Sequence, residues 1–99
     1  MKTTKTCKDS EKYIERYLCS TVTARGGICL KYSNPNMTGF PDRIVLMPGG
    51  KTLWVELKSK GRKPSLVQKI RFSQMEEIGH HVYVCDSIEQ VDEVIENEV

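Results

Sequence analysis

The stretch Gly39-Phe40-Pro41-Asp42 leads through Arg43-Ile44-Val45-Leu46-Met47 and Pro48-Gly49-Gly50 to Leu53-Trp54-Val55-Glu56-Leu57-Lys58. It reads as a β-hairpin. Ile44 to Met47 is continuously apolar, as in a central strand covered on both faces. Pro48-Gly49-Gly50 is turn chemistry. Beyond it the pattern alternates, with Leu53, Val55 and Leu57 on one side and Trp54, Glu56 and Lys58 on the other. A turn centred on Gly50 sets Met47 opposite Leu53, Ile44 opposite Glu56 and Asp42 opposite Lys58. Asp42 and Glu56 are then diagonal neighbours on one face, about 7–8 Å apart. A slip of one residue would send Asp42 to the opposite face, so pairing the two acids requires a turn of odd length.

Working outward, Asp9 or Ser10 is a suitable N-cap for a first helix that stops at Gly26-Gly27. Ile14, Leu18 and Val22 form its apolar stripe, and at roughly 100° per residue Glu11 projects into the middle of that stripe, with Glu15 nearer its margin. A further strand spans Ile28 to Tyr32, separated from the hairpin by Ser33-Asn34-Pro35-Asn36. After the hairpin come a basic loop from Lys60 to Pro64, a helix capped by Ser65 and running to Gly79, a strand from His81 to Cys85, and a last helix capped by Asp86 or Ser87. In that last helix Ile88, Val91 and Ile95 pack down. The helix between the third and fourth strands allows those two to lie parallel. The order α-β-β-β-α-β-α gives an α/β sandwich around a mixed sheet.

The chain has 99 residues, 38% hydrophobic and 28% charged, which suits one domain, residues 1–99, with 1–8 as a short polar leader. Its longest apolar run is too short for a membrane span, and no hydrophobic signal segment follows Met1. Cytoplasmic or other intracellular residence is expected. Cys7, Cys19, Cys29 and Cys85 form no CxxC pair, which leaves reduced packing cysteines rather than a zinc site. The net charge is only +2, but Lys58, Lys60, Arg62, Lys63, Lys69 and Arg71 cluster beside the hairpin while Glu89 to Glu98 is acidic. That asymmetry fits one face meeting phosphate.

Two carboxylates and an amine on a half-buried strand pair are costly to desolvate without a cation. Oxygen ligands from Asp42 and Glu56, with the Leu57 carbonyl, suit Mg²⁺ or Mn²⁺ and suit zinc poorly. Such an ion acidifies water and offsets charge on a phosphate, and Lys58 can hold or deprotonate the attacking water. Glu11 can reach the same ion through water. No organic cofactor is called for. Each part has a plainer reading: Asp42 as a turn residue after proline, Glu56 and Lys58 as a solvated strand face, Gln68 as the partner of Ser65 in a capping box. Adjacent His80 and His81 diverge on a strand and cannot share an ion. Trp54 reads as a core-edge residue, and Asn34 and Asn36 as loop formers that can touch a DNA backbone.

Taken together, Thr38-Gly39-Phe40-Pro41-Asp42, Trp54-Val55-Glu56-Leu57-Lys58, Gln68 and Gly79-His80-His81-Val82-Tyr83-Val84 resemble the VRR-NUC branch of the PD-(D/E)XK nucleases, over Glu11 to about Val94. The likeness is to stand-alone, phage-type members. It implies a restriction-endonuclease-like core, with Asp42 and Glu56 as metal ligands, Lys58 as catalytic lysine, and Glu11 and Gln68 completing the site. Lys60, Arg62, Lys63, Lys69, Arg71, Asn34 and Asn36 are the candidates for DNA contact. Because stand-alone members resemble Holliday-junction resolvases, the expected activity is Mg²⁺- or Mn²⁺-dependent endonuclease cleavage of branched DNA by a homodimer. Helix one, with Tyr13 and Tyr17, is a candidate subunit contact. The alternatives are a nicking or flap nuclease without junction preference, and an inactive DNA- or partner-binding module of the same fold.

Overall fold

The computed structural model describes residues 10–98. Helix α1 (Glu11–Ala24) is followed by strands β1 (Ile28–Lys31), β2 (Arg43–Met47) and β3 (Lys51–Leu57), helix α2 (Leu66–Glu77), strand β4 (Val82–Cys85) and helix α3 (Ile88–Glu98). This is the α-β-β-β-α-β-α order expected. One sheet runs β1-β2-β3-β4; the first two pairings are antiparallel and β3–β4 is parallel. Asp9 and Cys7 lie outside the described residues. Among those described, no helix is long and apolar enough to cross a membrane.

Local chemistry accounts for the helix ends. Ser10 caps α1 by accepting the Tyr13 N–H at 3.1 Å, and Gly26, at φ 83°, follows its C-terminal residue Arg25. The Ser65 hydroxyl accepts the Gln68 N–H at 3.2 Å while the Ser65 N–H donates to Gln68 Oε1 at 2.9 Å, a complete capping box on α2. Ser87 accepts the Gln90 N–H at the start of α3.

One face of the sheet carries Val45, Met47, Leu53, Val55, Leu57 and Cys85 against Ile14, Leu18 and Val22 of α1 and Val91 and Ile95 of α3. Tyr17 ties the two helices together by donating its hydroxyl to Asp92 at 2.7 Å, so this tyrosine is spent inside the fold. Among the described residues the other face is covered by α2, through Phe72 and Met75 on Val82 and Trp54, with Phe40 of the loop before β2 packed beside them. Trp54 thus takes the core-edge role.

Two expectations change here. The hairpin pairs Met47 with Lys51, Val45 with Leu53 and Arg43 with Val55, so the turn is centred on Gly49 and not on Gly50. Gly49 and Gly50 both take left-handed backbone, φ 88° and 82°, which only glycine adopts cheaply, and the third strand resumes at once at Lys51. The shift is two residues. The turn stays odd, and every side chain keeps its face. Second, β2 is central but not covered on both sides. Leu46 is 36% exposed, because among the described residues the only helix on that face sits over β3 and β4.

Candidate active site

Residues paired directly across a sheet project from the same face. Leu30, Ile44, Trp54 and Val82 are so aligned. Two residues further along β3, Glu56 pairs with Val84, and Tyr32 donates its N–H to the Asp42 carbonyl at 2.8 Å. Tyr32, Asp42 and Glu56 therefore line up on the α2 side of the sheet, at its end where β3 runs into the basic loop.

Glu56 is buried, 3% exposed, and accepts three donors. The Asp42 N–H reaches Oε1 at 3.2 Å, the Gln68 side-chain amide reaches Oε2 at 2.9 Å, and the Lys58 ammonium lies 3.1 Å from Oε2. The two readings of Gln68 prove compatible. Its side-chain oxygen closes the capping box while its nitrogen holds Glu56. The cap fixes the first turn of α2 and so aims the amide at the carboxylate.

Asp42 is less well supplied. Its Oδ1 accepts the Leu57 N–H at a long 3.4 Å. Burial, and then the negative charge of Glu56, push its carboxyl up to about 6, the Leu57 N–H pulling the other way. An acid so raised holds a proton in the native state between its ordinary 3.8 and about 6. Stability from this group is then greatest below that window and falls as pH rises through it. Asp42→Asn should accordingly melt higher than the parent at pH 7 in chelator, by about 1 kcal/mol or roughly 5 °C once solvent screening is allowed for, with no gain near pH 4. An equal difference at both pH values would remove the like-charge explanation.

Glu11 departs from expectation. It belongs to the first turn of α1, before Ile14, the first residue the core buries, and it is exposed. Helix α1 packs on the face opposite Asp42 and Glu56, and the exposed Glu11 carboxylate is near enough to help raise Asp42. Among the described residues no three His, Cys, Asp or Glu groups converge on one point. The donor set nevertheless fits a hard divalent cation: two neighbouring carboxylates, one of them raised by burial and then by the charge of the other. The other coordination positions would fall to carbonyl, water or phosphate oxygens.

Of the cations proposed for DNA, Lys60, Arg62 and Lys63 are exposed on the loop after β3, and Lys69 on α2. Gly61 on that loop donates to Asp86 at 3.1 Å. Arg71 is engaged internally: its Nε donates to the Thr38 carbonyl at 3.0 Å and its guanidinium lies 5.1 Å from the Phe40 ring centre. Asn34 is likewise occupied, donating to the Tyr32 hydroxyl at 3.2 Å and accepting the Asn36 N–H at 3.0 Å. These contacts brace the loop that delivers Asp42. Phe40 and Trp54 meet Tyr32 edge to face at 5.9 and 5.5 Å. Gly39, at φ 94°, lies against α2 so closely that a Cβ there would stand 3.1 Å from Val67 and Arg71.

Arg43 is a supporting residue the sequence reading passed over. Its guanidinium pairs with Glu15 of α1 beneath the Asp42 strand. Strand alternation already held the signal, since the residue after Asp42 must face α1.

No family model matches the chain. It is 42% identical over 77 residues to "Putative nuclease p44" of Acyrthosiphon pisum secondary endosymbiont phage 1, spanning 78% of this chain and 83% of that protein. A solved structure of a VRR-NUC domain superposes with a TM-score of 0.83 at 31% identity, covering 90% of this chain and 97% of the other. The chain belongs to the VRR-NUC family of nucleases. In this VRR-NUC domain Asp42 and Lys58 each contact Glu56, and the mixed four-stranded sheet with three helices is that of the family.

Proposed function

We propose that this VRR-NUC domain is a divalent-metal-dependent, structure-selective endonuclease that hydrolyses phosphodiester bonds in branched DNA, four-way junctions above all, as a homodimer. The observation that carries the reading is the side-by-side placement of Asp42 and Glu56, with Lys58 and Gln68 both on one Glu56 oxygen. Asp42, Glu56 and the Leu57 carbonyl are the residues to hold Mg²⁺ or Mn²⁺, with Glu11 reaching through water. Such an ion supplies a Lewis acid for the scissile phosphate and acidifies water. Lys58 then holds or deprotonates the attacking water and offsets negative charge as it develops. Gln68 keeps Glu56 aimed, and Lys60, Arg62, Lys63 and Lys69 take the flanking phosphates. Selection of shape over sequence follows from the compact domain, and two sites related by a two-fold axis match a symmetric junction. The free thiols of Cys19, Cys29 and Cys85 suit action in a reducing cytoplasm, such as that of a phage-infected cell.

The test is cleavage of a synthetic four-way junction beside matched duplex, flap and single-stranded DNA, with Mg²⁺ or Mn²⁺, against a Glu56→Ala control. Paired cuts in the junction, absent from the control and from chelator, are expected. Equal cutting of flap and junction would replace junction selectivity with general nicking. Binding without cutting under both ions would leave a DNA-binding module.

A further inference from the structure

The α2 side of the sheet carries two unpaired apolar surfaces. Helix α2 covers β3 and β4 only. Ile28 pairs with Leu46, and Leu30 with Ile44, on the same face as Trp54. Yet Ile28, Leu30 and Leu46 are 57%, 42% and 36% exposed. Among the described residues no helix lies over the β1–β2 half of this face, although a sheet face of this kind is buried against a second layer. The second surface is on α2 itself. At roughly 100° per residue, Leu66 and Ile70 point away from Phe72 and Met75. Leu66, Ile70 and the following Ile78 are 74%, 54% and 75% exposed. The first two turns of α2 thus present apolar side chains outward as well as inward, with Ser73 and Glu77 following on the outer side, and apolar surface on both sides of a helix suits a place between two layers.

We propose that a second copy of this chain covers both surfaces by reciprocal exchange, each copy's α2 lying on the bare β1–β2 half of the other. Helix beside bare sheet forms a step, and two such steps interlock. One symmetry operation satisfies both surfaces in both copies, as a closed two-fold interface requires. The areas agree: over the two surfaces these six residues leave open on the order of 600 Å², close to the ~65% apolar share of ~800 Å² that each partner brings to a stable dimer. The axis is also determined. Only a two-fold parallel to the strands sets each α2 over the other's β1–β2 half, since an axis across the strands would stack α2 on α2. An axis along the strands brings both Asp42–Glu56 sites to the same end of the dimer. That is where one substrate could meet both. The interface so placed uses α2 and β1–β2 and leaves Tyr13 and Tyr17 of α1 out of it.

The inference deepens the homodimer reading above but is tested without DNA or metal. In sedimentation velocity the parent should be a dimer. Ile70→Asp on the helix and Leu30→Lys on the sheet, each with the circular dichroism of the parent, should raise the dimer Kd by roughly 30-fold or more. Mixing the two variants should restore dimer. In the mixed pair one contact joins two unaltered surfaces and the other sets Asp against Lys. A monomeric parent, or variants that stay dimeric, would overturn the interface. Failure of the mixture to reassociate would overturn the exchange and leave a like-with-like contact. A parent that is monomeric yet cuts junctions would defeat this interface and leave the nuclease reading standing. A dimer that behaves as expected and cuts nothing would do the reverse.

Discussion

Lys58→Met should leave a folded protein whose cleavage of branched DNA is slower by about two to four orders of magnitude, the range for losing a proton-transfer or charge-stabilising group. The Lys58 ammonium sits 3.1 Å from Glu56 Oε2, close enough to share a water or phosphate oxygen with whatever Glu56 holds. Methionine keeps the apolar stem and removes only the charge. Glu56 retains the Asp42 N–H and the Gln68 amide, so the stability loss should stay near 1–2 kcal/mol, below the cost of stranding a buried charge. Single-turnover cleavage beside thermal melting separates the two effects. Activity within tenfold of the parent in a folded protein would remove Lys58 from the chemistry. A loss of activity that merely tracks a loss of folded protein would make it a structural ion pair.

The second large effect belongs to Gln68, whose two jobs separate by substitution. Gln68→Glu keeps an oxygen for the Ser65 N–H, so the capping box survives. It also places a second carboxylate where an amide donor stood 2.9 Å from Glu56 Oε2. The mutual repulsion of a buried and a half-buried acid should cost about 1–3 kcal/mol at pH 8. It should lower cleavage at least about tenfold by turning Glu56 away. The added acid titrates upward in the fold, so the stability deficit should shrink as pH falls toward 5. Gln68→Ala loses both the cap and the donor and should be less stable without that pH dependence. Were Gln68 only a cap, Gln68→Glu would melt and cut like the parent while Gln68→Ala alone suffered. That outcome would confine it to the helix end.

Much of this could be read along the chain because it depends on local rules. Ser10, Ser65 and the glycines at positions 26 and 79 mark helix ends through hydrogen bonds and backbone conformations reached within a few residues. Strand alternation put Glu56 and Lys58 on one face. The parity of the Pro48-Gly49-Gly50 turn put Asp42 with them. What was misjudged spans elements. Register between β2 and β3 came out two residues away because either glycine could centre the turn, and face parity is blind to a shift of two. Glu11 was read onto the core side from helical periodicity, but periodicity cannot say where along α1 the sheet beneath it ends. Asn34 reads along the chain as a loop former and Arg71 as a candidate for DNA contact, and only the folded loop shows them bracing Thr38, Phe40 and Tyr32.

By itself the sequence determined the element order, the parity that joins Asp42 to Glu56, and a set of residue types that suits a cation-assisted hydrolytic site. Spacing and side-chain period carry all three. Only the tertiary structure decided that Gln68 serves cap and carboxylate together, that Asp42 is the member of the pair raised by burial and by its neighbour's charge, and that no helix among the described residues lies over half of one sheet face. Those depend on burial and on distances between α2, the Asp42 loop and the sheet, and desolvation and Coulomb effects act through space with no regard for separation along the chain.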